Sequence, residues 1–217
     1  MLKTLFTVVI FSIAFAYIES AVVVYLRTIF HPEGFTFPLK TFGLTALWKQ
    51  HLLTEIGREA ATIVLIATAA SLFGRNLQEQ SAYFLIIFAV WDIFYYVWLK
   101  VLIDWPVSIM DWDILFLIPV VWASPILYPL LISIAIFVFA VMVLHRNRLG
   151  RPLKVTSIHW IGWFVSVVIL ALSFCIAGTH ITQADYQSYF HWPLFAVGYA
   201  LAVVTSLKCL TGSQPKG

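Results

Sequence analysis

A cluster of ionisable residues opens an otherwise apolar segment, residues 51–73, which is long enough to cross a membrane as a helix. His51, Glu55 and Glu59 follow one another at intervals of four residues. Arg58 lies three residues after Glu55, so the four side chains share one face of an α-helix. Each charge at membrane depth costs about 2.5–3.5 kcal/mol even on the lenient insertion scales. We therefore expect these side chains to turn away from lipid and to line a polar interior.

Two further apolar segments carry isolated carboxylates, Glu19 in residues 4–26 and Asp92 in residues 82–103. At a rise of 1.5 Å per residue, Glu19 and Glu59 lie about 10 Å, and Asp92 about 15 Å, from the outer ends of their helices. The three carboxylates should therefore form one layer in the outer half of the membrane. The predicted ligand or proton site comprises Glu19, Arg27, His51, Glu55, Arg58, Glu59, Asp92, Tyr95 and Tyr96.

Three functions fit this layer of carboxylates. Carboxylates that outnumber their cations in a medium of low dielectric hold either protons or a cation, as proton relays and mid-membrane ligand sites do. We therefore predict a membrane subunit or small carrier that handles protons, a cation or a small ligand such as a quinol. The alternative is a structural anchor of a larger complex, in which Arg58 neutralises Glu55 or Glu59. A further alternative is an enzyme acting on a lipid or polyprenyl substrate, with Glu59 or Asp92 as general base. Arg58 or Arg27 would then hold the phosphate.

Metal and cofactor chemistry has little support in the sequence. The nearest approach to a metal-binding pair is His51 with Glu55, and the paired Glu-x-x-His motifs of di-iron bundles do not occur. Cys175 and Cys209 have no ligand spacing around them. The sequence contains no HExxH, GxSxG, P-loop or dinucleotide motif. We therefore expect no metal and no required cofactor, and the sequence leans against an enzyme.

The composition identifies the class of protein that must position these residues. Of the 217 residues, 62% are hydrophobic and 11% are charged, whereas about 25% are charged in a soluble domain. The mean hydropathy is +0.94, which predicts an all-α integral membrane protein. The 13 basic residues are scattered and form no basic face, so we expect no nucleic-acid partner. The expected partners are the lipid bilayer and other proteins of a membrane complex.

The apolar runs predict six transmembrane helices in a single domain, 1–217, because a span needs roughly 20 apolar residues. A cleaved signal peptide at the N-terminus is an alternative, but the apolar run resumes after Ser20 and is long enough to span. A short polar tail, 210–217, ends the chain. The predicted spans are residues 4–26, 52–73, 82–103, 126–144, 156–177 and 189–207.

The distribution of lysine and arginine predicts that both termini lie in the cytoplasm. The densest basic cluster, residues 145–154, anchors this orientation. Eight of the thirteen basic residues then fall on the inner side: Lys3, Arg75, Arg146, Arg148, Arg151, Lys154, Lys208 and Lys216.

The apolar segment 104–125 is interrupted by Pro106, Pro119 and Pro125. It either extends the fourth helix back to Asp113, as an overlong broken helix, or forms a re-entrant or interfacial segment. We favour the second interpretation. Its tryptophans then lie at headgroup depth, or the segment forms a rim over the carboxylate layer. The predicted rim comprises Asp104, Trp105, Asp111, Trp112 and Asp113.

Several stretches of the first half resemble a family of bacterial polytopic inner-membrane proteins of uncharacterised function. They are AYIESAVVVYLR (16–27), HPEGFTFPL (31–39), EIGREAATIVLIA (55–67), WDIFYYVWLKVLIDWP (91–106) and WDILFLIP (112–119). The resemblance covers about residues 15–125. It implies a six-helix architecture and a multi-pass location in a bacterial inner membrane, and it implies no activity, cofactor or catalytic residue.

Overall fold

The computed structural model describes residues 2–39 and 46–212, with the side chains of residues 46–50 excepted. Lys40 and the last five residues of the predicted polar tail lie outside the described residues. Within them the chain forms six α-helices and one short antiparallel hairpin. The elements are α1 (Leu2–Phe30), α2 (Ala46–Phe73), α3 (Leu77–Ile103), β1 (Trp112–Phe116), β2 (Trp122–Pro125), α4 (Leu127–Arg148), α5 (Ser157–Gly178) and α6 (Trp192–Thr211), with a 3-10 turn at Tyr186–Tyr189 before α6.

Each of the six helices in the described part of the chain contains a segment long and apolar enough to cross a membrane. This confirms the predicted all-α membrane fold with six spanning helices. Local signals fix several helix ends. The Asn76 side chain caps α3 by accepting the Glu79 N–H at 3.0 Å, and a Thr156–His159 capping box opens α5. The orientation with both termini in the cytoplasm stays a prediction.

The segment between α3 and α4 is a β-hairpin. The overlong fourth helix is wrong, because α4 begins at Leu127 and the residues before it pair as strands. Trp112 lies opposite Pro125 and Asp113 opposite Ser124, with an irregularity near Phe116. Proline has no N–H to donate inside a helix, and an edge strand tolerates it. Whether the hairpin is re-entrant or interfacial stays a prediction.

The hairpin packs against the end of α5 at Gly178. A Cβ atom at Gly178 would overlap the Val121 carbonyl group, so the two backbones are in direct contact and only glycine fits. Leu39 lies on the same side, where its N–H donates to the Ile181 carbonyl at 2.8 Å. We call this side, formed by residues 31–39, 104–126 and 179–191, the hairpin end.

Helix packing divides the bundle into two parts. α3 packs against α1, α2 and α4, while α5 pairs with α6 and also holds β2. Among the described residues, α2 has no extensive contact with α4, α5 or α6. Two buried apolar clusters result, one around Ile66 and Ile86 at the end opposite the hairpin and one around Trp112 and Phe174 at the hairpin end. The candidate site lies between these clusters.

Candidate functional site

A cavity of about 200 Å³ lies inside the bundle, between the helices and the hairpin. α1, α2, α3, α4, α5 and both strands each contribute to its wall. The cavity therefore brings together side chains from distant parts of the sequence. Its polar lining consists of Glu19, Arg58, Glu59, Thr62, Asp92, Tyr95, Tyr96 and Ser133.

Arg58 connects α1 to α2 at one side of this cavity. Its Nη1 forms an ion pair with the Glu19 carboxylate, and its Nε donates to Glu55 Oε2 at 2.8 Å. Glu19 is buried, and Arg58 is partly buried. Both carboxylates share a single guanidinium, so two negative charges have one positive charge between them.

Glu59 is bound by the hairpin rather than by a cation. Its two carboxylate oxygens accept the Leu117 backbone N–H at 3.1 and 3.0 Å, and the residue is 8% exposed. Leu117 directly follows β1. The tip of the hairpin is therefore tied to α2, the helix that lacks extensive packing against the α5–α6 pair.

Asp92 has the least compensated charge of the cavity. Its Oδ2 accepts the Ser133 hydroxyl at 2.7 Å, which joins α3 to α4. Among the described side chains, those of residues 2–39 and 51–212, no lysine, arginine or histidine forms an ion pair with Asp92. Asp92 is partly buried, and a carboxylate withdrawn from water normally has a cationic partner or several donors. Asp92 has one neutral hydroxyl.

Aromatic rings form much of the remaining wall. Trp91 and Tyr96 come from α3, Phe116 and Trp122 from the hairpin, and Phe174 from α5. The Trp122 ring stacks on Phe174 with centroids 6.0 Å apart. The Nε1–H groups of Trp91 and Trp122 are buried and have no acceptor among the described residues. The interior is thus apolar and aromatic, with carboxylates set into it.

Arg27 belongs to a separate, closed site. Its Nη2 donates to Asp113 Oδ1 at 3.1 Å, and its guanidinium lies 4.0 Å from the ring centroid of Phe35 and 3.7 Å from that of Trp105. Its Nη1 is buried with no hydrogen-bond partner among the described residues. Asp113, 2% exposed, also accepts the Tyr95 hydroxyl at 3.3 Å. This ion pair joins α1 to β1.

Burial and hydrogen-bond partners shift the pKa of the Asp113 carboxyl in opposite directions. Burial raises the pKa of the Asp113 carboxyl because the charged form loses its hydration. The Arg27 guanidinium is the largest influence that lowers this pKa, followed by the Ile114 N–H and the Tyr95 hydroxyl. Burial outweighs these partners, so the pKa of Asp113 is raised to about 6. Asp113 nevertheless has a cation and two further hydrogen-bond donors, whereas Asp92 has one hydroxyl among the described residues.

The predicted rim residues separate in the structure. Trp112 and Asp113 are buried, and Trp105 covers Arg27, so none of these three forms an exposed edge. Asp104 is exposed, and a hydrogen bond from the Lys100 ammonium, 2.7 Å away, lowers the pKa of its carboxyl. Asp111 accepts the N–H groups of Val107 and Ser108 at 2.7 and 3.0 Å and stabilises the turn before β1.

Comparison with known proteins adds nothing to this geometry. No protein-family model, curated protein or solved structure matches the chain. The resemblance to a bacterial family therefore gains no support from these comparisons. The cavity has to be interpreted from its own residues.

Of the nine residues in the predicted site, the cavity brings together six, namely Glu19, Arg58, Glu59, Asp92, Tyr95 and Tyr96. Glu55 joins them through Arg58. His51 does not line the cavity, because its ring packs edge-on against Phe30, with centroids 5.5 Å apart. The described residues contain no group of three or more His, Cys, Asp or Glu side chains that could hold a metal ion.

Sequence reasoning missed the Ser133 hydroxyl and the far wall of the cavity. Thr62 lies three residues after Glu59, so helical spacing predicts it on the same face, and it lines the cavity. Ser133 is the lone hydroxyl within the apolar stretch LLISIAIF, residues 130–137. A buried hydroxyl in such a stretch is a usable signal. Trp122 and Phe174 gave no signal of their own.

Proposed function

We propose that this protein is a bacterial inner-membrane carrier or membrane subunit that handles protons, a cation or a small ligand such as a quinol within its carboxylate-lined cavity. The observation that carries the proposal is the surplus of negative charge around a partly open cavity. Glu19, Glu59 and Asp92 line the cavity together with Arg58, the one arginine or lysine among its described lining residues. A membrane interior does not tolerate such a surplus without a proton or a cation.

The pairing of Arg58 increases the surplus of negative charge at Glu59 and Asp92. Its guanidinium is shared between Glu19 and Glu55, so it does not compensate Asp92. Glu59 has one backbone N–H as its partner, and Asp92 has one hydroxyl. At neutral pH, we expect Asp92 to bind a proton and to release it when a cation enters the cavity.

The size of the cavity supports an occupant. A water molecule takes up about 30 Å³ of liquid, so about 200 Å³ accommodates several waters or one small molecule. The wall between α2 and the α5–α6 pair is formed by the hairpin instead of by helix packing.

Infrared difference spectroscopy across about pH 5–9 tests the proton-handling role, since ionisation of a carboxyl group changes its carbonyl stretch. The purified protein in lipid should show a protonated carboxyl band that disappears as the pH rises. Asp92→Asn should remove this band. Asp185→Asn makes the same chemical change at an exposed residue outside the cavity and should leave the band intact. A wild-type spectrum without any such band would refute the proton-handling role.

A structural anchor is the second candidate, because specific ion pairs favour it. Arg58 joins α1 to α2, and Arg27 joins α1 to β1. In an anchor these pairs would serve assembly alone, and the cavity would stay dry. Absence of the protonated band, together with an obligate partner protein that co-purifies in a fixed ratio, would favour the anchor.

The proposed orientation places the hairpin end outside the cytoplasm. Basic residues favour this topology because the 145–154 cluster would otherwise face outward. Topology reporters fused after Arg75 and Lys154 should read cytoplasmic, and a reporter at Asp185 should read external. A cytoplasmic signal at Asp185 would reverse the orientation and place the cavity nearer the inner side.

A further inference from the structure

We infer that the cavity binds a small organic cation, either a protonated amine or a quaternary ammonium ion, with Asp92 as its counter-ion. This inference rests on the proposed function, since it names the chemical class of the occupant. It uses three features of the cavity, which are its charge, its aromatic walls and its shortage of oxygen ligands.

The charge of the cavity selects a cation over an anion. Its described lining carries three carboxylates and one guanidinium, and that guanidinium is already shared between Glu19 and Glu55. An anionic ligand would meet Asp92 and Glu59 without a free cation to bind it. A cationic ligand supplies the partner that Asp92 lacks.

The walls of the cavity select an organic cation. Aromatic faces attract a positive charge within about 6 Å of the ring centroid, and quaternary ammonium ions are often held in this way. Trp91, Tyr96, Phe116 and Trp122 line the cavity along with Asp92. The same protein already holds one cation against aromatic rings, because the Arg27 guanidinium lies over Phe35 and over Trp105, 4.0 and 3.7 Å from the ring centroids.

An inorganic cation fits this lining poorly. Calcium takes six to eight oxygen ligands, and magnesium needs a near-ideal octahedral set. Around Asp92 the described structure offers its own carboxylate and the Ser133 hydroxyl, 2.7 Å apart. No group of three or more potential metal-binding side chains occurs in the described part of the chain. A ligand that carries its charge inside an apolar shell needs none of these oxygens.

Equilibrium dialysis with radiolabelled choline tests the inference on the full-length protein, reconstituted in nanodiscs of lipids without choline headgroups. Choline should bind saturably. Its uncharged isostere, 3,3-dimethylbutan-1-ol, has carbon in place of the ammonium nitrogen and should compete at least about tenfold more weakly, because a buried charge-assisted contact is lost. Asp92→Asn should weaken choline binding by a similar factor, and Asp185→Asn should leave it unchanged.

A second variant separates the aromatic contribution from folding. Phe116→Leu keeps an apolar side chain at the cavity wall and removes the π-face. We expect choline affinity to fall several-fold, since a cation–π contact contributes about 0.5–2 kcal/mol, while binding of the neutral isostere changes little. A monodisperse elution profile shows that a variant has folded. We expect this of Asp92→Asn, because its amide oxygen can still accept the Ser133 hydroxyl.

The outcomes distinguish the inference from the function on which it rests. Choline binding that is saturable, charge-dependent and lost in Asp92→Asn supports the inference. No binding alongside an infrared band that titrates and disappears in Asp92→Asn overturns the organic-cation inference and leaves proton handling intact. Equal affinity for choline and its neutral isostere also overturns it. Absence of both binding and the infrared band overturns the inference and the proposed function together.

Discussion

Two carboxylates near the hairpin end, the buried Asp113 and the partly buried Asp92, have different environments. Asp113 accepts hydrogen bonds from the Arg27 guanidinium, the Tyr95 hydroxyl and the Ile114 N–H. Asp92 is bonded by Ser133 alone among the described residues and borders an open volume of about 200 Å³. One carboxylate is compensated and packed, and the other is uncompensated beside free space.

This difference separates structural from functional charge. The ion pair of Arg27 and Asp113 is buried beside the Phe35 and Trp105 rings and holds α1 against β1. A carboxylate that faces a cavity without a cation leaves its charge available to a proton, to water or to a ligand. Residue type alone does not distinguish the two cases, because both are aspartates in apolar surroundings.

The largest expected effect is the loss of the closed ion pair. Arg27→Met keeps an unbranched chain but leaves Asp113 buried and without a cation. Breaking a buried pair in this way costs about 3–5 kcal/mol. SDS titration in mixed micelles should show this loss in the free energy of unfolding.

A double variant supplies the control for that measurement. Arg27→Met combined with Asp113→Asn removes both charges and should recover a large part of the stability, because no unpaired ion remains. If the double variant is as unstable as Arg27→Met alone, the guanidinium acts through its packing between Phe35 and Trp105 instead of through its charge.

Weakening the attachment of the hairpin to α5 should cause the next largest loss in the free energy of unfolding. Gly178→Ala introduces a methyl group that overlaps the Val121 carbonyl, and overpacking of this kind costs about 1–3 kcal/mol. Gly57→Ala is the matched control, since a Cβ at Gly57 meets nothing within 4 Å and alanine favours a helix. The same unfolding titration compares the two. Equal stability of both variants would mean that β2 does not rest on α5.

A smaller effect is expected at the hairpin tip. Glu59→Gln retains one carbonyl oxygen for the Leu117 N–H but loses the charge that strengthens this bond. We expect a loss of about 1 kcal/mol in the free energy of unfolding. Glu33→Gln, at an exposed residue, serves as the control, and a loss of the same size there would assign the effect to charge in general.

The smallest effect on stability belongs to the uncompensated carboxylate. Asp92→Asn preserves the Ser133 hydrogen bond and removes a charge that has no cation, so the free energy of unfolding should change by less than about 0.5 kcal/mol or increase. A loss as large as that of Arg27→Met would mean that Asp92 is as structural as Asp113. The contrast between the two carboxylates would then disappear.

The helices and the polar face of the second span were predictable because their signals are local. Apolar length predicts a span, and spacing of three or four predicts a shared face, so Arg58 and Glu55 were expected on one side and are hydrogen-bonded there. The assignment of Arg27 to the carboxylate site was different, since its partner comes from a hairpin that begins far along the chain. No helical spacing connects Arg27 to Asp113.

The sequence by itself determined that this protein has helices suited to a membrane and how many there are. Hydrophobic length and the cost of charges in lipid depend only on residues close in the chain. The sequence also determined that Glu19, Glu59 and Asp92 must avoid lipid. Only the tertiary structure decided which carboxylate received a cation. The Arg27–Asp113 pair depends on the hairpin pairing between Trp112 and Pro125, and burial then fixed which charges were compensated. Asp92 was left with a hydroxyl and an open cavity because the folded hairpin brings no cation to its side of the bundle.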